Sequence, residues 1–224
     1  LIGDQFTPVA SNAAEATIFG AELSADWRPA ERWRFHVSYT FLDAEYDRTR
    51  IPTSDLTESA ALGCEAIAPL STVDGAGAPV VVPQCVVDLN GRRLEGAPRH
   101  ALVGHAGYQA PLVRNIRGFA EATVRYQSQR PVTADNLVML DSYAETDVRL
   151  GLQGRRWEFL LYADNLFDND AVKSAYTGVD FAGPSVYRTG SGAGESIATP
   201  RLTRGTFVTL PDSFTYGFRA TVRF

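Results

Sequence analysis

The residue types that most often carry chemistry are few in this sequence, and they are widely spaced. Cys64 and Cys85 stand 21 positions apart, with no Cys-x-x-Cys pair and no histidine nearby. A zinc site needs tighter ligand pairs, so we expect one disulfide if the protein is exported and two free thiols if it is cytosolic. His36, His100 and His105 include no pair four residues apart, and we interpret them as separate polar side chains rather than as a metal site.

Two further motifs fall short of a known kind of site. Gly190–Ser196 is rich in glycine but lacks the Lys-Ser/Thr ending of a phosphate-binding loop, and is interpreted as a loop tip. Asp164, Asp168 and Asp170 resemble part of a calcium loop whose central glycine and closing glutamate are missing. No Ser/His/Asp set or carboxylate pair is singled out by its spacing. We therefore predict no catalytic residue, no cofactor and no metal, and a protein that is not an enzyme.

The candidates for ligand contact lie between residues 166 and 213, where aromatic residues and arginines occur together. Such side chains make good contacts with a flat or anionic ligand, and they serve equally well to pack one loop against another. A second segment, 48–98, holds the cysteine pair and the apolar run at 80–82. We name four candidate ligand-facing residues in the first segment: Tyr176, Tyr187, Arg188 and Arg201.

The segments that flank these candidates have the alternation typical of β-strands. From residue 214 to 224, apolar side chains at even positions alternate with polar, basic or glycine residues at odd positions. Successive side chains of a strand point to opposite faces, so one face is apolar and the other polar. We count about seven such strands, each near the 9–11 residues that cross a bilayer. The others are 19–28, 33–41, 120–127, 144–152 and, less cleanly, 99–109 and 157–165, where Leu160 and Tyr162 interrupt the pattern.

Composition leaves two classes of protein. The net charge of -5 and the pI near 5.2 exclude a general nucleic-acid binder, which needs a basic face. No run approaches the roughly 18 apolar residues of a membrane-spanning helix, and residues 1–8 lack the features of a signal peptide. The chain is therefore a soluble β protein or a membrane barrel, whose strands average to a hydrophilic mean hydropathy such as the -0.13 of this sequence.

Two features favour the barrel over a soluble antiparallel sandwich. All three tryptophans, Trp27, Trp33 and Trp157, lie beside short turns, at one presumed membrane interface where indoles settle. Short turns also alternate with long connections, as they do in outer-membrane barrels, whereas long loops are unusual in compact soluble domains. The short turns are 29–32, 111–116 and 153–156, and the long connections are about 48–98, 130–140 and 166–213.

We predict one antiparallel sheet in sequence order, with Phe218 and Trp33 toward lipid and Arg219 and Arg34 toward the lumen. A slip of one residue would invert every strand. The predicted lumen face carries both signs of charge, which fits either a wall that grips an internal domain and guides substrate or the polar lining of any water-filled barrel. Its other charged residues are Glu22, Asp26, Arg28, Glu121, Arg125, Glu145, Asp147, Arg149 and Arg223.

Several stretches resemble TonB-dependent receptors. WEFLLYADNLFD at 157–168 is similar to their penultimate strand, and SFTYGFRATVRF at 213–224 is similar to their closing strand, which ends in a terminal Phe. GRRLEGAPRH at 91–100 resembles the entry to a middle strand. IFGAELSADWRP, followed by WRFHVSYTFLDAEY, resembles a hairpin from the second half of the barrel. The resemblance covers most of the chain.

The resemblance implies an all-β, antiparallel, up-and-down transmembrane β-barrel of the 22-stranded type with long extracellular loops. This chain would supply about seven C-terminal strands of it. In the family, an N-terminal plug domain fills the lumen. Residues 1–224 leave no room for a plug or for the segment that contacts TonB, so we expect the C-terminal part of the barrel, without the plug domain and the N-terminal strands.

The resemblance also implies a receptor in the bacterial outer membrane that imports a scarce large solute with energy from TonB. Ferric siderophores are the family's commonest cargo, and cobalamin, haem and oligosaccharides are others. The implied partners are the TonB complex through the missing N-terminal part, the siderophore, outer-membrane lipid and the barrel-assembly machinery, which would read Phe224; nucleic acid is not among them. Two alternatives are a passive porin-like or other plug-free barrel and a soluble β-rich binding module.

Overall fold

The computed structural model describes residues 14–53, 63, 65–73, 79–180, 186–187, 200–201 and 203–224, and the regular structure in these ranges is all β. The principal sheet consists of β1 (Glu15–Trp27), β2 (Trp33–Asp47), β6 (His100–Val113), β7 (Ile116–Gln127), β10 (Tyr143–Gln153), β11 (Trp157–Asp164) and β16 (Thr215–Val222). The other strands lie in the connections: β3 (Arg50–Thr53), β4 (Glu65–Val73), β5 (Pro79–Asp88), β8 (Arg130–Pro131), β9 (Met139–Leu140), β12 (Ala175–Asp180), β13 (Val186–Tyr187), β14 (Pro200–Arg201) and β15 (Thr203–Val208). No helix within the described ranges is long and apolar enough to cross a membrane.

The seven strands of the principal sheet are neighbours in the order in which the chain visits them, β1-β2-β6-β7-β10-β11-β16. Every neighbouring pair is antiparallel. The predicted number of strands, their order and their antiparallel pairing are thereby confirmed. Among the described residues, β1 and β16 each keep one unpaired edge, so the sheet is an open part of a barrel.

The cross-strand register keeps two distinct faces from one edge of the sheet to the other. Directly opposite residues of antiparallel strands point to the same face. The paired positions place Trp33 and Phe218 on one face, called here the outward face, and Arg34 and Arg219 on the other, the inward face. One outward row runs across five strands: Ala25, Val37, Gly104, Val124 and Thr146.

Leu160 and Tyr162, which interrupt the polar pattern of β11, lie on the inward face and cover glycines there. Leu160 pairs with Gly151 and is 6% exposed. The Phe119 ring lies on the same glycine, because a Cβ built on Gly151 would be 2.1 Å from the ring. The Tyr162 hydroxyl covers Gly217 in the same way, 2.5 Å from a Cβ placed there. Apolar side chains thus fill gaps in an otherwise polar face.

The short turns lie at one end of the sheet and carry an aromatic belt. Trp27 packs against Phe35 with ring centroids 5.4 Å apart, Trp33 stacks on Phe35 at 5.6 Å, and Trp33 meets Tyr108 at 4.7 Å. These contacts confirm that tryptophans gather at the short-turn level. The turn expected at 111–116 is tighter than predicted, because β6 continues through a register shift to Val113 and leaves only residues 114–115.

The opposite end of the sheet, called here the loop end, holds most of the buried residues. Thr49, Val87 and Leu89 are at most 1% exposed, and Ala44 is 5% exposed. The connections there contain short ladders of their own, β3-β5-β4, β8-β9, β12-β15 and β13-β14. The described parts of the long connections therefore contain small sheets of their own.

Candidate functional site

Charged side chains of β7 and β10 meet on the inward face near the loop end. Arg125 forms an ion pair with Asp147 and a second one, of 3.5 Å, with Glu145. The side chain of Asp147 is 4% exposed and that of Glu145 13%. A carboxylate removed from water to this extent needs a charged or hydrogen-bonding partner, and Arg125 is shared between the two.

A residue from the last long connection completes this group. The Lys173 ammonium contacts the Glu145 carboxylate and lies 5.9 Å from the centre of the Tyr143 ring. The Arg130 guanidinium donates a hydrogen bond to the carbonyl oxygen of Lys173. We call Arg125, Arg130, Glu145, Asp147 and Lys173 the mouth cluster. Its three cationic and two anionic side chains give a net charge of +1, which favours anions at this point of the inward wall.

Asn165 ties the mouth cluster to both ends of the same connection. Its backbone N–H donates to Asp147 Oδ1 at 3.0 Å. Its side-chain amide donates to the carbonyl oxygens of Asn169 at 3.0 Å and Asp212 at 2.7 Å, and accepts from the Asn169 N–H at 2.8 Å. Asp168 adds a bond from the Phe214 N–H at 2.8 Å. The Asn-Leu-Phe-Asp stretch is therefore a clamp that joins residues 165–169 to residues 212–214.

Two residues of this clamp adopt left-handed backbone conformations. Asn165 and Asp168 both have φ of 50°. Asparagine and aspartate tolerate this region better than other non-glycine residues, because their short polar side chains bond to nearby backbone. Asn165 is 2% exposed, so its amide groups depend on the protein partners named above. The left-handed backbone and the long-range hydrogen bonds thus both favour asparagine at position 165.

A second frame holds the connection between β5 and β6 against β2. The N–H of Leu94 donates to the carbonyl of Ala44 at 3.0 Å. The Asn136 side chain accepts from the Arg93 N–H and donates to the Arg93 carbonyl, both at 2.8 Å. The Tyr46 hydroxyl donates to Glu95 at 2.6 Å. These bonds join the connections at 89–99 and 130–140 into one support beside the inward face.

The same frame perturbs two titratable groups at the loop end, at the opposite end of the sheet from the aromatic belt. Burial, then the hydrogen bond to Glu95 and its negative charge, raises the pKa of the Tyr46 phenol to about 12. Burial chiefly, and the nearby Arg99 charge in addition, lowers the pKa of the Arg93 guanidinium. Arginine still keeps its proton at neutral pH, because its reference value is so high.

The candidate residue Tyr176 stands on a ladder formed by β12 and β15, called here the stem. It pairs with Phe207, and the two rings stack with centroids 5.1 Å apart and planes 17° from parallel. Tyr176 is 64% exposed and Phe207 40%. The next pair on this face of the stem is Gly178 with Gly205. The aromatic pair is therefore open to solvent and borders a stretch of backbone without side chains.

The other predicted contact residues are placed only in part. Tyr187 pairs with Pro200 and Arg201 pairs with Val186, in the short ladder of β13 and β14. Arg188 lies outside the described residues. A shared ligand site that contains these residues and Tyr176 stays a prediction.

The cysteine pair is also placed in part. Cys85 lies on β5, where it pairs with Thr53 on one side and Ala66 on the other. Cys64 lies outside the described residues. The disulfide therefore stays a prediction.

Each histidine has its own partner. His36 Nδ1 lies 3.1 Å from Asp26 Oδ1, His105 Nδ1 lies 3.2 Å from Thr123 Oγ1, and His100 Nδ1 lies 2.8 Å from the Tyr39 hydroxyl. His36 and His105 are directly opposite each other on the inward face, which their spacing in the sequence did not indicate. In the part of the chain that the structure describes, no group of three or more His, Cys, Asp or Glu is placed to hold a metal ion.

Several residues of the site were not singled out from the sequence. Lys173 and Arg130 join the mouth cluster through the paths of long connections, and Tyr143 lies beside Lys173; no local pattern marks any of the three. Phe207 and the Gly178–Gly205 pair also had no local signal, because residues 203–208 (TRGTFV) do not alternate between apolar and polar side chains.

Comparison with known proteins shows which family the chain resembles. Residues 1–166 match the family model described as TonB dependent receptor-like, beta-barrel. The ferric yersiniabactin uptake receptor FyuA from Yersinia pestis has a similar structure, with a TM-score of 0.59 and 20% identity over 95% of this chain and 24% of that one. The siderophore receptor PiuA from Acinetobacter baumannii gives a TM-score of 0.55 and 15% identity over 92% of this chain and 22% of that one. No curated protein matches.

The chain spans about a quarter of the length of these two solved receptors. At such identities the likeness shows the fold, and the family match carries the assignment. The family consists of transport receptors rather than enzymes, and its barrels reside in the outer membrane of Gram-negative bacteria. The seven antiparallel strands, the aromatic belt and the family match agree: this chain belongs to the TonB-dependent receptors, as part of their outer-membrane β-barrel.

Proposed function

We propose that this chain is the C-terminal part of a receptor that imports a scarce large solute across the outer membrane with energy supplied by TonB. The observation that carries the proposal is the family match over residues 1–166. A ferric siderophore is the proposed solute. FyuA is described as a ferric yersiniabactin uptake receptor and PiuA as a siderophore receptor, and these descriptions support the same class of cargo here.

The proposal includes the parts of the receptor that would lie outside this chain. The remaining strands would pair with the free edges of β1 and β16 and close a larger barrel, and a plug domain would fill the lumen and contact the TonB complex. The open sheet and the small share of each solved receptor that the chain covers support this division.

The inward face favours a plugged receptor over the alternative, a passive porin-like barrel. The lumen of a porin is filled with water and lined with polar side chains. Here Phe119, Leu160 and Tyr162 interrupt that lining, and the mouth cluster closes over nearly dry carboxylates. A wall of this mixed character suits contact with a folded domain better than contact with bulk water.

The mouth cluster has a role in this proposal. Iron chelates that carry net negative charge would be drawn to Arg125, Arg130 and Lys173 at the loop end of the inward face. Glu145 and Asp147 hold Arg125 and Lys173 in place until the ligand arrives, and the Lys173 carbonyl holds Arg130. The net charge of +1 on the cluster attracts an anionic ligand only weakly, so the ligand can leave the cluster again.

Uptake of labelled iron by cells that carry the complete receptor tests the function. We expect accumulation of a ferric siderophore only while TonB is active, and no leakage of small sugars into liposomes that contain the purified receptor. Uptake that continues without TonB, or rapid sugar leakage, would support the porin-like alternative instead. Lys173→Gln should slow uptake, whereas Arg155→Gln in a short turn at the other end of the sheet should not.

A further inference from the structure

The open face of the stem combines two features that together form a recess. The rings of Tyr176 and Phe207 stand side by side, 5.1 Å between centroids, and both are exposed. The next cross-strand pair on the same face is Gly178 with Gly205, which leaves bare backbone beside the rings. A Cβ built on Gly178 would lie 3.6 Å from an edge carbon of each ring, so the ring edges form the side of the recess.

The base of the stem is fixed to the inward wall. Lys173 reaches Glu145 on that wall, and the Thr209 N–H bonds to the Ser174 carbonyl at 2.9 Å. On an extended segment, Tyr176 lies on the opposite side from Lys173. Exposure follows the same alternation, since Ser174 and Tyr176 are exposed while Ala175 and Thr177 are half-buried. The recess therefore lies on the side of the stem opposite the Lys173 contact with the wall, and it is open to solvent.

The chemistry of the recess selects its ligand. Its four residues, Tyr176, Phe207, Gly178 and Gly205, carry no charge. A flat floor of backbone beside two aromatic rings accepts a planar ring in stacked or edge-to-face contact, and the Tyr176 hydroxyl adds one hydrogen-bonding group. A hydroxamate or a carboxylate chelate has no such ring and gains little there.

We propose that the recess of Tyr176, Phe207, Gly178 and Gly205 binds a planar aryl ring carried by the ferric chelate, so that this receptor prefers aryl-bearing chelates. This inference rests on the proposed function and narrows its substrate class. In this proposal the Tyr176 ring contacts the aryl ring of the ligand. The glycine pair leaves open the space for that ring, which any larger side chain would fill. The mouth cluster below the stem would then meet the charged part of the same ligand.

Equilibrium dialysis with the complete receptor in detergent tests the proposal. The probes are a ferric catecholate complex, whose ligands are planar rings, and a ferric acetohydroxamate complex, which has none. Gly178→Val fills the recess, and the backbone φ of Gly178 and the ordinary 3.6 Å spacing allow a side chain there. Thr177→Val is the matched control, because it introduces the same side chain on the other face of the same strand.

We expect the parent receptor to bind the catecholate more tightly than the hydroxamate. Gly178→Val and Tyr176→Ala should each raise the dissociation constant for the catecholate about 2- to 10-fold, the range expected for one aromatic contact. Binding of the hydroxamate should not change, Thr177→Val should behave as the parent, and Tyr176→Phe should keep most of the catecholate affinity.

Three results would overturn the proposal. Unchanged catecholate binding in both Gly178→Val and Tyr176→Ala would mean that the recess does not contact the ligand. Equal losses for both complexes would show that the rings act on the structure of the stem and not on an aryl ligand. A parent receptor that binds neither complex would contradict the ferric-chelate function itself, which distinguishes failure of the function from failure of the recess alone.

Discussion

The backbone N–H of Asn165 donates a 3.0 Å hydrogen bond to the buried Asp147 carboxylate. This bond links β10 of the inward wall to the start of the last long connection. The same carboxylate pairs with Arg125, so one acid holds both the charged wall and the connection above it. The position of the last long connection and the charged pair on the inward wall therefore both depend on Asp147.

Asn165→Ala should loosen this junction. The change removes the side-chain hydrogen bonds to Asn169, which is half-buried, and to Asp212, which is exposed. Each lost bond costs about 0.5–1.5 kcal/mol. The change also places alanine at a φ of 50°, which costs about 1–2 kcal/mol more. We expect a lower urea midpoint for the complete receptor and faster proteolysis within 170–211.

Asn165→Gly separates the two causes of that effect. Glycine adopts the positive φ freely but lacks the amide, so it should recover only the backbone part of the loss. Leu166→Ala, in the same turn and 39% exposed, serves as the control. Equal stability of Asn165→Ala and the parent would show that the clamp does not hold the connection.

Val37→Arg should impair membrane assembly more than Ser38→Arg. The two residues are neighbours on β2, but Val37 belongs to the outward row and Ser38 to the inward face. An arginine toward lipid at the midplane costs about 2–4 kcal/mol, whereas one toward the lumen remains hydrated. The heat-modifiable folded fraction of the complete receptor measures the difference. Equal fractions would contradict the assignment of the faces.

Gly151→Ala should destabilise the sheet by about 1–3 kcal/mol, the usual cost of overpacking. The new Cβ would lie 2.1 Å from the Phe119 ring, which has to move. Gly104→Ala is a matched control on β6, because nothing lies within 4 Å of a Cβ there. Adding Phe119→Leu to Gly151→Ala should restore part of the loss of urea midpoint. No difference between the two glycine variants would mean that Phe119 does not rest on Gly151.

Tyr46 should titrate near pH 12 rather than near its reference value of 10. A raised pKa means that the folded state holds the proton more firmly than the unfolded state. The contribution to stability is therefore complete below pH 10 and is lost as the pH rises through 12. Subtracting the ultraviolet titration of Tyr46→Phe from that of the parent isolates this phenol. A difference curve centred at pH 10 would show that Tyr46 is not held by Glu95.

Cys64 and Cys85 are predicted to form one disulfide in the long connection between β2 and β6. Closing a loop of about 20 residues restricts the unfolded chain by roughly 3 kcal/mol in the entropic model. Mass spectrometry under non-reducing conditions, on receptor recovered from outer membranes, should find the two peptides linked. Two free thiols would refute the bond.

The strands were predictable because their signal is local. Trp33 and Phe218 could be placed on the outward face, and Arg34 and Arg219 on the inward face, because side chains alternate with a period of two. Leu160 and Tyr162 broke that rule for a reason that is not local. They fill gaps left by Gly151 and Gly217, which belong to neighbouring strands and are brought opposite only by the cross-strand register.

The candidate site was less predictable than the strands. Tyr176 was identified by residue type alone, and its partner Phe207 lies 31 positions further along the chain, opposite it in the stem. The contact between Lys173 and Glu145 joins residues 28 positions apart. Contacts of this kind depend on the path of a connection, which composition and periodicity do not specify. The inward charges of Arg125, Glu145 and Asp147 were predicted from alternation, but their grouping was not.

The free edges of β1 and β16 set a condition on biogenesis. Each edge presents a row of backbone N–H and C=O groups, and in hydrocarbon every such group without a partner costs several kcal/mol. Insertion into a bilayer must therefore be concerted with hydrogen bonding along both margins of the sheet. After synthesis, these strands can therefore be buried in lipid only when the free edges of β1 and β16 have formed their hydrogen bonds.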